Sequence, residues 1–161
     1  MPQRIEIELG NLLRARGIKL GAAESCTGGL IADRITDVPG SSEYFIGSLV
    51  VYAYEAKVAL LGVSWDTLHK YGAVSREVVL EMARGARKAL SVDLAVSVSG
   101  IAGPGGGLPD KPVGTTWIGL SAPEGDWARK FIWGNGRRGN KQLSADAAMQ
   151  FVLDYLNRKV E

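Results

Sequence analysis

The residues best suited to chemistry lie in the run 24–29, which reads Glu-Ser-Cys-Thr-Gly-Gly. This run places two hydroxyls and a thiol between a short apolar segment, residues 18–23, and a helical-looking segment, residues 30–35. In α/β sheets, ligands bind beyond the carboxyl ends of strands, where helix N-termini present free N–H groups. Ser25 could therefore act as a nucleophile on a bound substrate. The same residue types are also typical of a helix N-cap, and taken alone the run favours that interpretation.

A nucleophilic serine needs a base, and histidine is a poor candidate for that role in this sequence. The only histidine, His69, lies between Leu68 and Lys70 in an amphipathic segment, where a solvated or half-buried helix side chain is expected. A partly desolvated lysine is the usual substitute for histidine. No Ser-x-x-Lys motif occurs, so a serine–lysine pair has to be assembled across the sheet.

Lys57 is the lysine whose position fits such a pair. It follows the second expected strand, near the start of the next helix. If the first two strands are parallel neighbours, Ser25 and Lys57 lie at the same edge of the sheet. Tyr52, at the end of the second strand, could add its hydroxyl to a proton relay. Spacing alone favours structural roles for both residues, a solvated lysine paired with Glu55 and a core tyrosine at the end of the strand.

A second candidate region is the glycine-rich run 99–107, which follows a short apolar strand. Glycines after a buried strand suit a loop whose N–H groups line an anion or an oxyanion, with Lys111 and Thr115 close by in sequence. A tight, irregular connection is the alternative. The run lacks the Gly-Lys-Ser/Thr ending of a Walker A loop, and Leu108 replaces the last glycine of a dinucleotide fingerprint.

Composition limits the classes of protein to consider. The 161 residues indicate one domain, residues 1–161, with ordinary hydrophobic (46%) and charged (22%) fractions. The net charge of +2 and scattered basic residues argue against nucleic acid as a partner. No apolar run is long enough to span a bilayer, and no signal-peptide core is visible. A single cysteine fits a cytoplasmic protein, and one Cys with one His cannot supply most of the ligands of a zinc site. Whether the protein is a homo-oligomer stays open.

The pattern of apolar residues predicts alternating helices and strands, followed by a hairpin and a last helix. Ser64 and Ser75 are expected to be N-caps. Together these elements predict an α/β fold, a three-layer α/β/α sandwich with a mixed, mostly parallel sheet of about five to six strands. The expected helices are residues 3–16, 27–35, 55–61, a short one from Ser64, one from Ser75 to Leu90, and 142–156. The expected strands are residues 18–23, 44–52, 94–98, 115–122 and 127–133.

Several blocks of the sequence, in this order, resemble one known family. The resemblance is to the CinA carboxy-terminal domain, the family of nicotinamide-nucleotide amidohydrolases, and it covers nearly the whole chain. The blocks are Glu-Ser-Cys-Thr-Gly-Gly (24–29), Asp-Val-Pro-Gly-Ser-Ser (37–42), residues 52–57, Gly-Ala-Val-Ser (72–75), Gly-Ile-Ala-Gly-Pro-Gly-Gly (100–106) and Lys-Pro-Val-Gly-Thr (111–115).

The resemblance implies hydrolysis of the carboxamide of nicotinamide mononucleotide to nicotinate mononucleotide and ammonia, within pyridine-nucleotide salvage. It implies Ser25 as the nucleophile and Lys57 as its base, with Tyr52 close by. It implies no metal and no organic cofactor, and a small nucleotide as the partner. The substrate contacts expected from it are Thr27, Gly28, Ser42, Ser99, Gly100, Gly103, Arg137 and Arg138.

Two departures from the family pattern bear on this expectation. Tyr54 stands where the family usually has asparagine, and the run 134–140 replaces a Gly-Asp-Arg…Arg pattern that is a candidate phosphate site. Arg137 or Arg138 would then hold the phosphate from a shifted loop. Two alternatives stay open: a non-catalytic nucleotide-binding or regulatory module of the same fold, and an amidase with a different small substrate.

Overall fold

The computed structural model describes residues 2–161, which form five β-strands and six α-helices. The strands are β1 (Leu20–Glu24), β2 (Phe45–Val50), β3 (Leu94–Gly100), β4 (Thr115–Ala122) and β5 (Gly125–Ile132). The α-helices are α1 (Ile5–Arg16), α2 (Leu30–Thr36), α3 (Tyr54–Leu61), α4 (Trp65–Tyr71), α5 (Arg76–Leu90) and α6 (Gly136–Leu156).

The strands form one mixed sheet in the order β2-β1-β3-β4-β5. Strand β1 is parallel to both β2 and β3, whereas β4 is antiparallel to β3 and β5. Four strands therefore point the same way and only β4 is reversed. Within the described part of the chain, this arrangement confirms the predicted mixed sheet, with five strands.

Helices cover both faces of the sheet, which confirms the predicted three layers. Helices α1, α2 and α6 pack on one face, and α3, α4 and α5 on the other. The central strand β3 divides its side chains between the two cores: Val96 and Val98 face the first layer and Ala95 the second. Because β1 and β3 are covered on both faces, their side chains are almost all buried, as expected for parallel strands between helices.

The polar caps predicted for two helices are present. The Ser64 hydroxyl accepts hydrogen bonds from the N–H groups of Asp66 and Thr67, at the start of α4. The Ser75 hydroxyl accepts from the N–H of Val78, at the start of α5. Both serines thus satisfy N–H groups that the first turn of a helix leaves free.

Two predicted helix starts are wrong. Helix α2 begins at Leu30 and not at residue 27, because residues 25–29 form a turn in which Gly28 and Gly29 have φ values of 61° and 105°. Helix α6 begins at Gly136 and not at residue 142. The side chain of Asn140 accepts from the N–H of Asn135 and donates to the carbonyl of Ala102, and this stabilises a first turn that is rich in glycine.

None of the helices in residues 2–161 is long and apolar enough to cross a membrane.

Candidate active site

Ser25 directly follows the last residue of β1 and lies at the carboxyl edge of the sheet. Its N–H donates to the carbonyl of Val98 on β3, and its side chain is buried. The turn that follows reverses the chain into α2, and the left-handed conformations of Gly28 and Gly29 allow this in two residues. Ser25 is therefore held at a sharp strand-to-helix turn.

Lys57 reaches Ser25 from the first turn of α3. Its Nζ lies 3.0 Å from the Ser25 Oγ, 2.7 Å from the carbonyl oxygen of Val51 and 3.2 Å from that of Tyr52. The side chain is almost fully buried, with 1% of its surface exposed. The pair meets because β1 and β2 are parallel neighbours and both chains leave the sheet at the same edge; the N–H of Val51 still donates to the carbonyl of Glu24.

The burial of Lys57 makes its amine easier to deprotonate than that of an exposed lysine. Burial lowers the pKa of Lys57 to about 8 from its usual 10.5. A neutral amine has two N–H groups and one lone pair. The carbonyls of Val51 and Tyr52 can only accept hydrogen bonds, so they take the two N–H groups and leave the lone pair for the hydroxyl of Ser25. This is the arrangement that a general base for Ser25 requires.

The pair opens into a cavity of about 190 Å³. The neighbouring Cys26 also lines it, but burial raises the pKa of this thiol to about 11, so that it stays protonated near neutral pH. Ser25 is thus the better activated of the two adjacent nucleophiles. The cavity is lined by Ser25, Cys26, Tyr52, Lys57, Ala73, Val74, Ser99, Gly100, Ala102 and Arg137.

Two backbone N–H groups next to Ser25 are free to bind an oxyanion. Among residues 2–161, no hydrogen-bond acceptor is found for the N–H of Cys26 or of Thr27. The N–H of the residue that follows a nucleophile is a common oxyanion donor at strand-to-helix turns. The turn thus combines the nucleophile with candidate donors for the negative oxygen that forms when a carbonyl is attacked.

The glycine-rich segment supplies one wall of the cavity through Ser99 and Gly100, at the end of β3. A Cβ atom on Gly100 would lie 2.6 Å from the Thr116 Oγ1, so only glycine allows β4 to approach this closely. Gly103 lies further out, and its carbonyl oxygen accepts a hydrogen bond of 2.7 Å from Arg137.

Arg137 forms part of the cavity mouth, from the first turn of α6. One of its N–H groups donates to Gly103, and another to the hydroxyl of Tyr52 over 3.4 Å. The Tyr52 hydroxyl therefore contacts Arg137, whereas only the Tyr52 backbone carbonyl contacts Lys57. The predicted relay through the tyrosine hydroxyl is not formed in this arrangement, because within residues 2–161 that hydroxyl makes no hydrogen bond to Lys57 or Ser25, and 64% of the Tyr52 surface is exposed.

Some predicted site residues do not contribute their side chains to the cavity. Ser42 lies in a short 3₁₀ helix, Ser41–Glu43, which precedes β2 and so lies at the amino edge of the sheet, opposite Ser25. Its prediction as a substrate contact of this site is corrected accordingly. The Thr27 hydroxyl is bound to the carboxylate of Glu24 at 2.7 Å. Arg138 is exposed and makes no hydrogen bond within residues 2–161.

The interpretation of Ser25 or Thr27 as an N-cap of α2 is also wrong. The N-cap residue is Gly29, which has no side chain, and the carboxylate of Glu24 instead accepts hydrogen bonds from the N–H groups of Ile31 and Ala32 in the first turn of α2. Sequence reasoning missed this role because the run from Glu24 to Gly29 predicted a helix that begins three residues too early. The signal that could have found it is an acidic residue at the end of an apolar strand.

Lys141 is a further residue that the sequence did not single out. Its Nζ lies 3.7 Å from the position that a Cβ on Gly28 would occupy, beside the Ser25 turn. It is one helical turn beyond Arg137, so both cations lie on the same side of α6. The spacing of four residues between the two basic side chains was the available signal.

No cluster of three or more metal-binding side chains (His, Cys, Asp or Glu) occurs within residues 2–161.

The fold and the site define a class: a three-layer α/β/α protein with a buried serine–lysine pair at the carboxyl edge of its sheet. The family model of the CinA C-terminal domain matches residues 2–156, and the chain belongs to this family. The resemblance seen in the sequence is thereby confirmed.

Individual relatives agree with this assignment. The chain is 48% identical over 146 residues to a CinA-like protein of Salinibacter ruber, covering 91% of this chain and 35% of the relative. It is 45% identical over 161 residues to a CinA-like protein of Chlorobium limicola, covering 97% of this chain and 38% of the relative. The chain thus spans little more than a third of the length of the curated relatives it matches.

Solved structures show the same fold over almost their whole length. The competence/damage inducible protein CihA of Agrobacterium tumefaciens is 39% identical, with a TM-score of 0.88 and 98% of both chains covered. The competence damage-inducible protein A (ComA) of Klebsiella pneumoniae is 29% identical, with a TM-score of 0.92 and 95% of both chains covered.

Proposed function

We propose that this protein is an amidohydrolase that converts nicotinamide mononucleotide to nicotinate mononucleotide and ammonia, with Ser25 as nucleophile and Lys57 as base. The observation that carries the proposal is the 3.0 Å contact between the buried Lys57 Nζ and the Ser25 Oγ. The substrate follows from the resemblance of the sequence blocks to the nicotinamide-nucleotide amidohydrolases.

Acylation begins when neutral Lys57 takes the proton of the Ser25 hydroxyl and the Oγ attacks the carboxamide carbon. The C=O bond becomes a C–O⁻ bond, and the free N–H groups of Cys26 and Thr27 are the candidate donors to this oxygen. The Lys57 ammonium then returns its proton to the leaving nitrogen. The C–N bond breaks, ammonia departs and an ester on Ser25 remains.

Deacylation repeats the same steps with water. Lys57 accepts a proton from water while the water oxygen attacks the ester carbon, and the proton is then returned to Ser25. The sum is one amide and one water converted to one carboxylic acid and one ammonia. Lys57 must be neutral at the start of acylation and again at the start of deacylation, so its lowered pKa assists both halves of the reaction.

The nucleotide phosphate has a candidate site at the start of α6. Arg137 and Lys141 are the two cations on the side of α6 that faces the Ser25 turn. The N-terminus of this 21-residue helix adds a partial positive charge. A cavity of about 190 Å³ holds the pyridine carboxamide, with the ribose phosphate extending past its mouth towards these groups.

The test is ammonia release from nicotinamide mononucleotide by the wild type and by Ser25→Ala. We expect the variant to lose about 10⁴-fold or more in kcat, because no other activated nucleophile lies in the cavity. The matched control is Ser42→Ala, an exposed serine at the opposite edge of the sheet, which should retain wild-type activity. Unchanged activity in Ser25→Ala would contradict the assignment of Ser25 as the nucleophile. An inactive wild type would contradict the assignment of nicotinamide mononucleotide as the substrate.

A second candidate is an amidase for a smaller amide. Two observations favour it: the small volume of the cavity, and the two hydrogen bonds that already engage Arg137. This function predicts that nicotinamide, without the ribose phosphate, is hydrolysed at least as well as the nucleotide. A non-catalytic module predicts instead that the nucleotide raises the Tm while no ammonia is released from either compound.

A further inference from the structure

Glu24, directly before the nucleophile, is a fully buried acidic residue with 0% of its surface exposed. Its Oε1 accepts hydrogen bonds from the Thr27 hydroxyl at 2.7 Å and the N–H of Ile31 at 2.8 Å. Its Oε2 accepts from the N–H of Ala32 at 3.2 Å and the hydroxyl of Ser48 at 2.8 Å. Within residues 2–161, no lysine or arginine forms a salt bridge with this carboxylate.

A carboxylate in this position is costly to bury. Removing a charge from water is unfavourable unless hydrogen bonds or an opposite charge replace the lost hydration. Here four neutral donors replace the lost hydration, so the free energy of burying the Glu24 carboxylate depends on where these donors lie. An apolar residue would fill the same space without that cost, so packing of the core does not explain why an acid is used.

The four donors come from three different parts of the chain. Thr27 belongs to the turn, Ile31 and Ala32 to the first turn of α2, and Ser48 to the neighbouring strand β2. The Glu24 side chain therefore connects the middle of the turn 25–29 and the start of α2 to the sheet. That turn contains two glycines with left-handed φ values, which by themselves leave the backbone free to adopt many conformations.

We propose that Glu24 is a positioning residue for catalysis. It holds the turn 25–29 so that the N–H groups of Cys26 and Thr27 stand ready to bind the oxyanion formed at Ser25. This inference rests on the proposed amidohydrolase function. Since the oxyanion exists only during the reaction, loss of this positioning lowers kcat and leaves KM nearly unchanged.

The experiment compares three variants on nicotinamide mononucleotide. Glu24→Gln preserves the shape, but its amide nitrogen cannot accept from Ala32; we expect kcat to fall about 10- to 100-fold, with KM within about threefold. Thr27→Val removes only the donor in the turn and should lower kcat by roughly three- to tenfold. Ser42→Ala, an exposed serine at the opposite edge of the sheet that makes no hydrogen bond to Glu24, is the matched control, with kcat within about twofold of wild type.

A second readout does not depend on activity. The Gly28 amide donates to the Ser25 carbonyl within the turn, so its hydrogen exchange reports on turn opening. In Glu24→Gln we expect it to exchange about tenfold faster or more, while the Val96 amide in central strand β3 keeps its wild-type rate.

Each result supports or overturns the positioning role. Unchanged kcat in an active enzyme, unchanged Gly28 exchange, or equal acceleration at Gly28 and Val96 would overturn it. If the wild type releases no ammonia, the proposed function fails, and the exchange rates alone decide the role of Glu24. If Glu24→Gln does not fold, Thr27→Val carries both measurements.

Discussion

The candidate active site has two parts that differ sharply in burial. The first part contains Ser25 and Lys57, which are both buried. Hydrogen bonds of Lys57 hold its amine beside Ser25, and hydrogen bonds of Glu24 hold the turn that follows Ser25. The second part is the start of α6, where Arg137 and Arg138 are exposed. The Arg137 side chain donates one hydrogen bond of 2.7 Å and one of 3.4 Å there, and the Arg138 side chain makes no hydrogen bond within the described residues.

The buried part of the site therefore bears on the type of reaction, and the exposed part bears on which substrate is bound. A buried amine with three hydrogen-bond partners has one arrangement, so the chemistry that it can perform is narrowly defined. Exposed cations at a helix start can move to fit different anions at low cost. We therefore infer that activation of a serine is the more firmly supported part of the account, and that the identity of the substrate depends on the start of α6.

The largest effect in this comparison is expected at the buried lysine. Lys57→Met keeps the length of the side chain but removes the base, so kcat should fall by about 10³-fold. The measurement is ammonia release at saturating substrate. Lys70→Met, at an exposed position on α4, is the matched control and should leave kcat unchanged. Full activity in Lys57→Met would show that another group activates Ser25.

The same substitution should change how stability depends on pH. The pKa of Lys57 is about 8 in the folded protein and 10.5 as the usual value. Below about pH 8 both states bind the proton and the buried charge destabilises the fold. Between about pH 8 and pH 10.5, Lys57 has lost its proton in the folded state but keeps it in the unfolded state. The unfolded state therefore binds more protons in this range, and the free energy of unfolding rises with pH. Above about pH 10.5 both states have lost the proton, and the free energy of unfolding no longer rises through this group.

Lys57→Met lacks this gain. The free energy of unfolding of the wild type, relative to Lys57→Met, should therefore rise by up to about 3 kcal/mol between pH 7 and pH 10.5. Urea unfolding of both proteins at several pH values measures this difference. The same comparison with Lys70→Met should give no such trend, and a flat difference for Lys57→Met would contradict the lowered pKa.

A smaller effect is expected at the exposed part of the site. Arg137→Ala and Lys141→Ala should each raise KM for nicotinamide mononucleotide about tenfold, because a charged hydrogen bond to the phosphate is lost in a solvent-exposed setting. The kcat should change little. Arg138→Ala is the control, with KM within about twofold. If all three variants keep the wild-type KM, the phosphate is held elsewhere, or the substrate carries none.

The layers of the fold, the sheet and the meeting of Ser25 with Lys57 could be predicted from sequence. Apolar periodicity identified the elements, and two parallel strands bring the residues that follow them to one edge of a sheet. By the same rule Ser42, which precedes β2, belongs at the opposite edge, and its prediction as a substrate contact ignored this.

What could not be predicted depends on contacts between distant residues. The Glu24 carboxylate accepts hydrogen bonds from Ile31, Ala32 and Ser48, and no local sequence pattern predicts this set of donors. The first turn of α6 contains glycines that disfavour a helix, and it forms because Asn140 bonds to Ala102 on another loop. Tertiary hydrogen bonds overrode the local preference of the sequence in both places.

The central claim is that neutral Lys57 activates Ser25, and the pH dependence of kcat/KM tests it most directly. With nicotinamide mononucleotide as substrate, kcat/KM should rise about tenfold per pH unit below pH 8 and level off above it. Lys57→Met should abolish this rise in whatever activity remains. A wild-type kcat/KM that is constant from about pH 6 to pH 9 would contradict the claim.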